Sequence, residues 1–342
     1  MPTFRTASVT ALRQERPGLQ RLDVEMEDGS AARAYVLTDL TGPCAVGERV
    51  VLNTTAVDLG LGTGGWHVVH WNLDRDGFHR PGPDHVMKLR YTSLQFDAGT
   101  SELAHPECDR PLGGVPVVVG SVHSQLAPVA AAFAEAAPGR RLVHVMTDGA
   151  ALPFALSDLS AQLAAQGLVA ATVTAGHAFG GDLEAVNVHS ALGLAVHALG
   201  ADAVVVVMGP GVVGTGTELG TTAVEVAPAL DAAAALGGRP VLCVRASDGD
   251  ARERHQGISH HTVTAARLSR SEPFVVDVPV GAAELPGVRP LAVDDLPDAA
   301  ALLARHGLER TTTMGRTVEQ DPLFFAAAAA AGAGAAALLD RP

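Results

Sequence analysis

Residues 201–211 read ADAVVVVMGPG, a continuous apolar run that stops abruptly at two glycines and a proline. An amphipathic strand alternates polar and apolar residues, whereas this one does not. Six consecutive apolar residues flanked by turn formers describe a strand buried on both faces, as in a parallel sheet covered by helices. Outward from it the same pattern recurs in VPVVVGS (115–121), RLVHVMT (141–147), LVAATVTA (168–175) and RPVLCVR (239–245), with FVVDVPV (274–280) a sixth candidate. Segments of helix length lie between them, SDLSAQLAAQG and LEAVNVHSALGLAVHALG among them. Alternating strands and helices predict an α/β fold: a Rossmann-like, open parallel sheet with helices on both faces.

Residues 1–75 read differently. Two short strand-like runs flank Glu27-Asp28-Gly29, a hairpin signal, and GERVVLNTT is strand-like too. A small N-terminal β-barrel or sandwich is expected there. Residues 76–114, rich in Pro, Gly and His, are expected to link it to an α/β domain over 115–342.

The formal charge of −13 argues against nucleic acid and anionic membranes as partners. Cys44, Cys108 and Cys243 stand far apart, with no CxxC pair, which argues against a zinc knuckle and fits a reducing compartment. The N-terminus shows no apolar signal segment, so a cytoplasmic location is expected. The stretch LFFAAAAAAGAGAAALL (323–339) has the length of a short membrane span, but it is Ala- and Gly-rich and flanked by Asp321 and Asp340. A helix packed through small residues is the reading preferred, as core or as the contact of a homo-oligomer.

In an open parallel sheet, ligands bind beyond the carboxyl ends of the strands. Each predicted strand is followed there by small and polar residues: Ser121 to Ser124, Thr147-Asp148-Gly149, Gly176-His177 with Gly180-Gly181-Asp182, Gly209-Pro210-Gly211, and Ser247-Asp248. Ordinary turns also need such residues. The segments GHAFGGD and GPGVVGTGTELG carry more glycine and more chemistry than a turn requires.

The glycine segment contains a formal GxGxxG at Gly209, Gly211 and Gly214, yet proline fills an x position and no helix follows promptly. No GK[ST] follows, so it is not a Walker loop. It reads as a loop whose amides, with the hydroxyls of Thr215 and Thr217, face an anion, Gly216 included. In GHAFGGDLEAVNVHSAL, Asp182 is expected to cap a helix and Glu184 to sit in its first turn. Glu184 and Asn187 would then share one helix face, and Asp182 and His189 another, with His177 above.

Ser259 is a candidate N-cap that places His260 and His261 in a first turn, pointing about 100° apart and therefore not onto one ligand. Arg252, Arg254 and His255 lie just upstream, as a solvated face or as anion contacts. Lys88, the only lysine, and Arg90 are two apart and on a strand would share a side. HExxH and GxSxG are absent, so no metal, cofactor or hydrolase triad is specified.

Several of these strings together, KLRYTSLQ, GHAFGGDLEAVN, MGPGVVGTGTELG, RHQGISHHT and TMGR (313–316), resemble an uncharacterised bacterial family known only as a domain of unknown function, family 3866. The resemblance covers nearly the whole chain and implies no reaction or catalytic assignment.

The expectation that follows is an α/β protein binding an anionic small molecule, a nucleotide, sugar phosphate or carboxylate, at the strand-end cleft. Asp148, His177, Asp182, Glu184, His260 and His261 are the candidate acid/base groups. Gly209, Gly211, Gly214, Thr215, Gly216 and Thr217, with Lys88 and Arg90, are the candidate anion contacts. The alternative is a non-catalytic scaffold with a sensor cleft.

Overall fold

The computed structural model describes residues 1–62, 64–339 and 341. Asp340, one of the two acids expected to flank the tail, lies outside the described residues. The chain divides into two compact units, Met1–Gly99 and Thr100–Pro342.

The first unit is a closed barrel of β1 (Phe4–Arg16), β2 (Leu19–Met26), β3 (Ala31–Leu37), β4 (Arg49–Asn53) and β5 (Trp66–Asn72). Its order, β1-β2-β3-β5-β4 closing on β1, is that of a five-stranded Greek-key barrel. Period-two alternation builds it. Leu22, Val24 and Met26 of β2, Ala34 and Val36 of β3, and Val50 and Leu52 of β4 all point into one core. The expected hairpin joins β2 to β3, and Gly29 takes the positive φ (80°) of the turn. Two single-turn helices, α1 (Thr38–Thr41) and α2 (Thr55–Asp58), complete the barrel's connections.

A short antiparallel pair follows, β6 (Met87–Lys88) with β7 (Phe96–Asp97). The strand on which Lys88 and Arg90 would share a side therefore ends at Lys88. Leu89 and Tyr91 have positive φ (52° and 62°), a conformation no strand contains, so Lys88 and Arg90 do not share a strand face.

The second unit carries eight parallel strands: β8 (Pro116–Val119), β9 (Leu142–Thr147), β10 (Ala171–Ala175), β11 (Leu183–Ala185), β12 (Ala203–Met208), β13 (Arg239–Leu242), β16 (Phe274–Val276) and β17 (Arg289–Leu291). A two-stranded hairpin, β14 (Ala246–Ser247) with β15 (Gly257–Ile258), interrupts the series. The spatial order is β11-β10-β9-β12-β8-β13-β16-β17. Every residue of β8 and of β12 is buried, as a two-sided sheet demands. The helices form two groups that pack among themselves. One holds α3 (Leu126–Ala136), α4 (Asp158–Ala165), α8 (Ala299–Arg305) and α9 (Pro322–Leu339); the other holds α5 (Val188–Gly193), α6 (Val226–Ala235) and α7 (His260–Leu268).

The Ala-rich tail is α9, the one helix among the described residues long and apolar enough to cross a membrane. Here it is a core helix, packed on α3, β8, β13 and β16. A β-carbon on Gly332 would stand 2.3 Å from the Val129 carbonyl oxygen of α3, so the small residue sets how closely the two helices meet.

One expectation fails next to β10. Residues 183–185 form an edge strand, not the start of a helix, and the helix begins at Val188. Its cap is Asn187, whose side-chain oxygen accepts the amides of His189 (2.9 Å) and Ser190 (3.2 Å). Asp182 and Glu184 are thus neither cap nor first-turn acid. Neither the pairing of Glu184 with Asn187 nor that of Asp182 with His189 on a helix face exists.

Candidate functional site

Parallel pairing places the carboxyl ends of all eight strands on one edge. β12 is inserted between β9 and β8, and the chain then resumes on the far side of β8 with β13. β8 leaves through α3 and β13 leads on to α7, in opposite helix layers, so their connections diverge at this point of the edge, where open α/β sheets commonly take ligands. Gln125, fully buried, bridges the two segments just beyond these strands. Its carbonyl accepts the amides of Ser121 (2.8 Å) and Val122 (3.2 Å), and its amide group donates to the carbonyls of Cys243 (3.3 Å) and Val244 (3.2 Å).

Arg245 comes next in the chain. Its side chain is buried, and its Nη1 donates to Nδ1 of His261 at 3.2 Å. Among the described residues no carboxylate pairs with it. Burial and the charge of Arg252 pull its guanidinium down to about 10, still well above neutrality.

Around it three imidazoles gather. His260 and His261 open α7, and Ser259 caps the helix by accepting the His261 amide (3.3 Å) while bonding Nδ1 of His255 (2.7 Å). The ring centroids of His260 and His261 are 4.2 Å apart, and each is 5.0 Å from His255. The two adjacent histidines were expected to diverge; instead both lie against a third ring brought in by the preceding loop. Burial first, and then the charge of Arg245, lowers His255 to about 4 and His261 to about 3. His260 is lowered as well, by burial and then by Arg254. All three are neutral at pH 7.

The glycine loop closes over this cluster. A β-carbon on Gly214 would lie 3.8 Å from Cε1 of His261, and one on Gly216 would lie 3.6 Å from Cζ of Arg254. The loop is a small hairpin, bridged Gly214 to Thr221. Much of its polar capacity is used internally. The Thr215 and Thr217 hydroxyls bond each other (2.9 Å), the Thr215 amide bonds the Gly220 carbonyl (2.8 Å), and the Gly220 amide bonds Thr217 (3.1 Å). Thr215 and Thr217 therefore staple the loop. Gly209 serves packing: a β-carbon there would meet the Ala151 carbonyl oxygen at 2.1 Å.

The TMGR string arrives beneath. Arg316 donates to Asp321 (2.9 Å) and to Asp250 (3.2 Å), and Asp250 also takes Arg252 (2.8 Å). Asp321, fully buried, further accepts the Ser247 hydroxyl (2.9 and 2.8 Å) and the Asp248 amide (3.2 Å). Hydrogen bonds from Arg252 hold Asp250 well below the usual carboxylate range. These acids are bonded to Arg252 and Arg316; among the described residues Arg245 and Arg254 form no ion pair with a carboxylate, although the charges of Asp250 and Asp321 also act on Arg245.

The other sequence candidates stand elsewhere. Oδ2 of Asp148, beyond β9, accepts the His177 amide at 2.8 Å, and burial followed by the charge of Asp148 raises nearby Glu225. Asp182 accepts the Thr172 amide (2.8 Å), and Glu184 accepts the Thr174 hydroxyl (2.8 Å) and the Gly180 amide (2.6 Å), so both acids fasten the edge strand. β10 and β13 are four strand spacings apart, roughly 19 Å at about 4.8 Å each. The candidates around His177 thus stand apart from the His260–His261 cluster. Lys88, buried, and Arg90 belong to the first unit.

Sequence reasoning missed Arg245, Asp250 and Arg316. A lone arginine closing an otherwise apolar strand, RPVLCVR, was the available signal for Arg245. It also missed the buried pair beyond β8 and within β9. There His123 bonds the Met208 carbonyl through Nδ1 (2.9 Å) and Ser157 through Nε2 (2.6 Å), while among the described residues fully buried His144 makes no hydrogen bond of normal geometry through either ring nitrogen.

Among curated proteins no match is found. A family model described as a protein of unknown function, DUF3866, matches residues 33–332 and so takes in the glycine loop, the histidine cluster and the Arg316 string together. The chain belongs to the DUF3866 family.

Proposed function

We propose that the chain binds an anionic small molecule beyond the carboxyl ends of β12 and β13, between the loop over Gly214–Gly216 and the start of α7. One observation supports this reading: among the described residues Arg245 is a buried guanidinium in no ion pair, facing neutral imidazoles, while the nearby Asp250 and Asp321 are bonded to Arg252 and Arg316. An unpaired buried charge costs several kcal/mol by order of magnitude, and a fold that retains one has a use for it. A bound anion supplies the missing countercharge. Arg254 above Gly216 adds a second cation at the mouth, where solvent access lets a ligand enter.

Calorimetric titration with inorganic phosphate, nucleotides, sugar phosphates and carboxylates tests the proposal. At a hundred times its dissociation constant, a ligand adds about 2.7 kcal/mol and raises Tm by several degrees. Arg245→Met removes the unpaired cation. The variant is expected to lose anion binding while the unliganded protein becomes more stable, by on the order of 1–4 kcal/mol. Retained binding in Arg245→Met defeats the assignment.

A further inference from the structure

Three neutral imidazoles within contact of one another invite a metal ion, and their ligand nitrogens do lie within 4.8 Å of one another. The hydrogen bond from Arg245 argues otherwise. A guanidinium donates and never accepts, so Nδ1 of His261 is the accepting nitrogen. The proton of the neutral ring is then on Nε2, and a protonated nitrogen cannot ligate a metal. A metal-bound histidine requires the reverse, with its distal nitrogen donating to a carboxylate or carbonyl. Arg252 and Arg254 also place positive charge beside His255, His260 and His261. The cluster is wired to donate.

Resting on the anion reading above, the geometry points to a phosphoryl group as the bound anion, with Nε2–H of His261 as a neutral donor whose tautomer Arg245 fixes. His261 has no partner for Nε2 among the described residues, and its side chain is more than nine-tenths buried against the loop at Gly214. The donors come from three separate places: Arg245 at the end of β13, Arg254 in the following loop, and His261 at the head of α7. A planar carboxylate is satisfied by one guanidinium fork. Donors arriving from three segments suit a tetrahedral group with three or four oxygens. A neutral histidine adds a hydrogen bond without adding a proton that a phosphate could take.

The tautomer is read directly by long-range 1H–15N spectra of the full chain at pH 7 in EDTA; His261 is expected to carry its proton on Nε2. Inorganic phosphate is then titrated by calorimetry, with acetate as the planar control and Zn2+ or Co2+ in parallel. Phosphate should bind at least about ten-fold more tightly than acetate, and His261→Phe should weaken it about ten-fold. His261→Gln, which keeps an N–H donor, should recover most of the loss, and circular dichroism confirms that each variant folds. A proton on Nδ1 overturns the inference. So does acetate binding as tightly as phosphate, or a stoichiometric divalent ion lost in His255→Ala. Phosphate binding unchanged in His261→Phe overturns the role of His261 and leaves the anion site standing. No anion binding to the unaltered chain overturns both.

Discussion

At the scale of residues, the molecule keeps histidines neutral by burying them. His144, His255 and His261 are almost wholly enclosed, and all three have folded-state pKa values of about 3 to 4. Released on unfolding, each returns to about 6.5. Between these values the unfolded chain binds more protons than the folded one, so stability rises with pH across the window and is lost as pH falls from about 6.5 towards 4. Each group contributes a slope of up to about 1.4 kcal/mol per pH unit. Urea denaturation at pH 7.5, 6 and 5 should give little change above 6.5 and a steep decline below it. A flat profile to pH 5 would show that the imbalance is absent. Substituting His144 with leucine should shallow the slope, since the buried ring is removed along with its titration.

At the scale of elements, small residues decide how closely helices approach. α9 and α3 touch where Gly332 meets the backbone of Val129, and there is no room there for a methyl group. Gly332→Ala should destabilise the fold by about 1–3 kcal/mol through overpacking, although alanine is the better helix former. Equal or greater stability in denaturant melts would show that α9 can shift aside.

The strands buried on both faces were legible because their apolar runs are short, rich in valine and cut off at once by turn residues, as Ala203–Met208 is by Gly209-Pro210-Gly211. The hairpin at Gly29 and the cap at Ser259 were legible because each follows from local chemistry. The edge strand at Leu183–Ala185 was not: three residues are too few for a period, and Asp182 imitates a cap while actually holding the Thr172 amide. The site was half legible. Its glycine loop and paired histidines are local strings, but Arg245 becomes unusual only when the fold withholds a carboxylate from it, and that is a property of tertiary packing.

At the scale of the whole molecule, two cores are separate. The barrel buries its own set of side chains, and the sheet with its helices buries another. Residues 100–342 hold every group of the proposed anion site. A fragment of that span should fold, melt cooperatively and bind inorganic phosphate within a few-fold of the full chain. Residues 1–99 should give the far-ultraviolet signature of a β protein and bind none. A 100–342 fragment that folds but does not bind would mean that the barrel contributes to the site.

The packing of α9 has a further consequence, in time. The helix covers α3, β8 and β13 on one layer of the sheet, yet it is encoded far downstream of them, at Pro322–Leu339 against Leu126–Ala136 for α3. Ribosomes add about 5–20 residues per second, so the apolar surface of α3 and the sheet waits roughly 10 to 40 s for its cover. The barrel has all its strands before this interval begins and can close as it emerges. During synthesis, then, the nascent chain should carry a finished barrel ahead of an exposed, half-roofed sheet, the stage at which chaperones would be most needed.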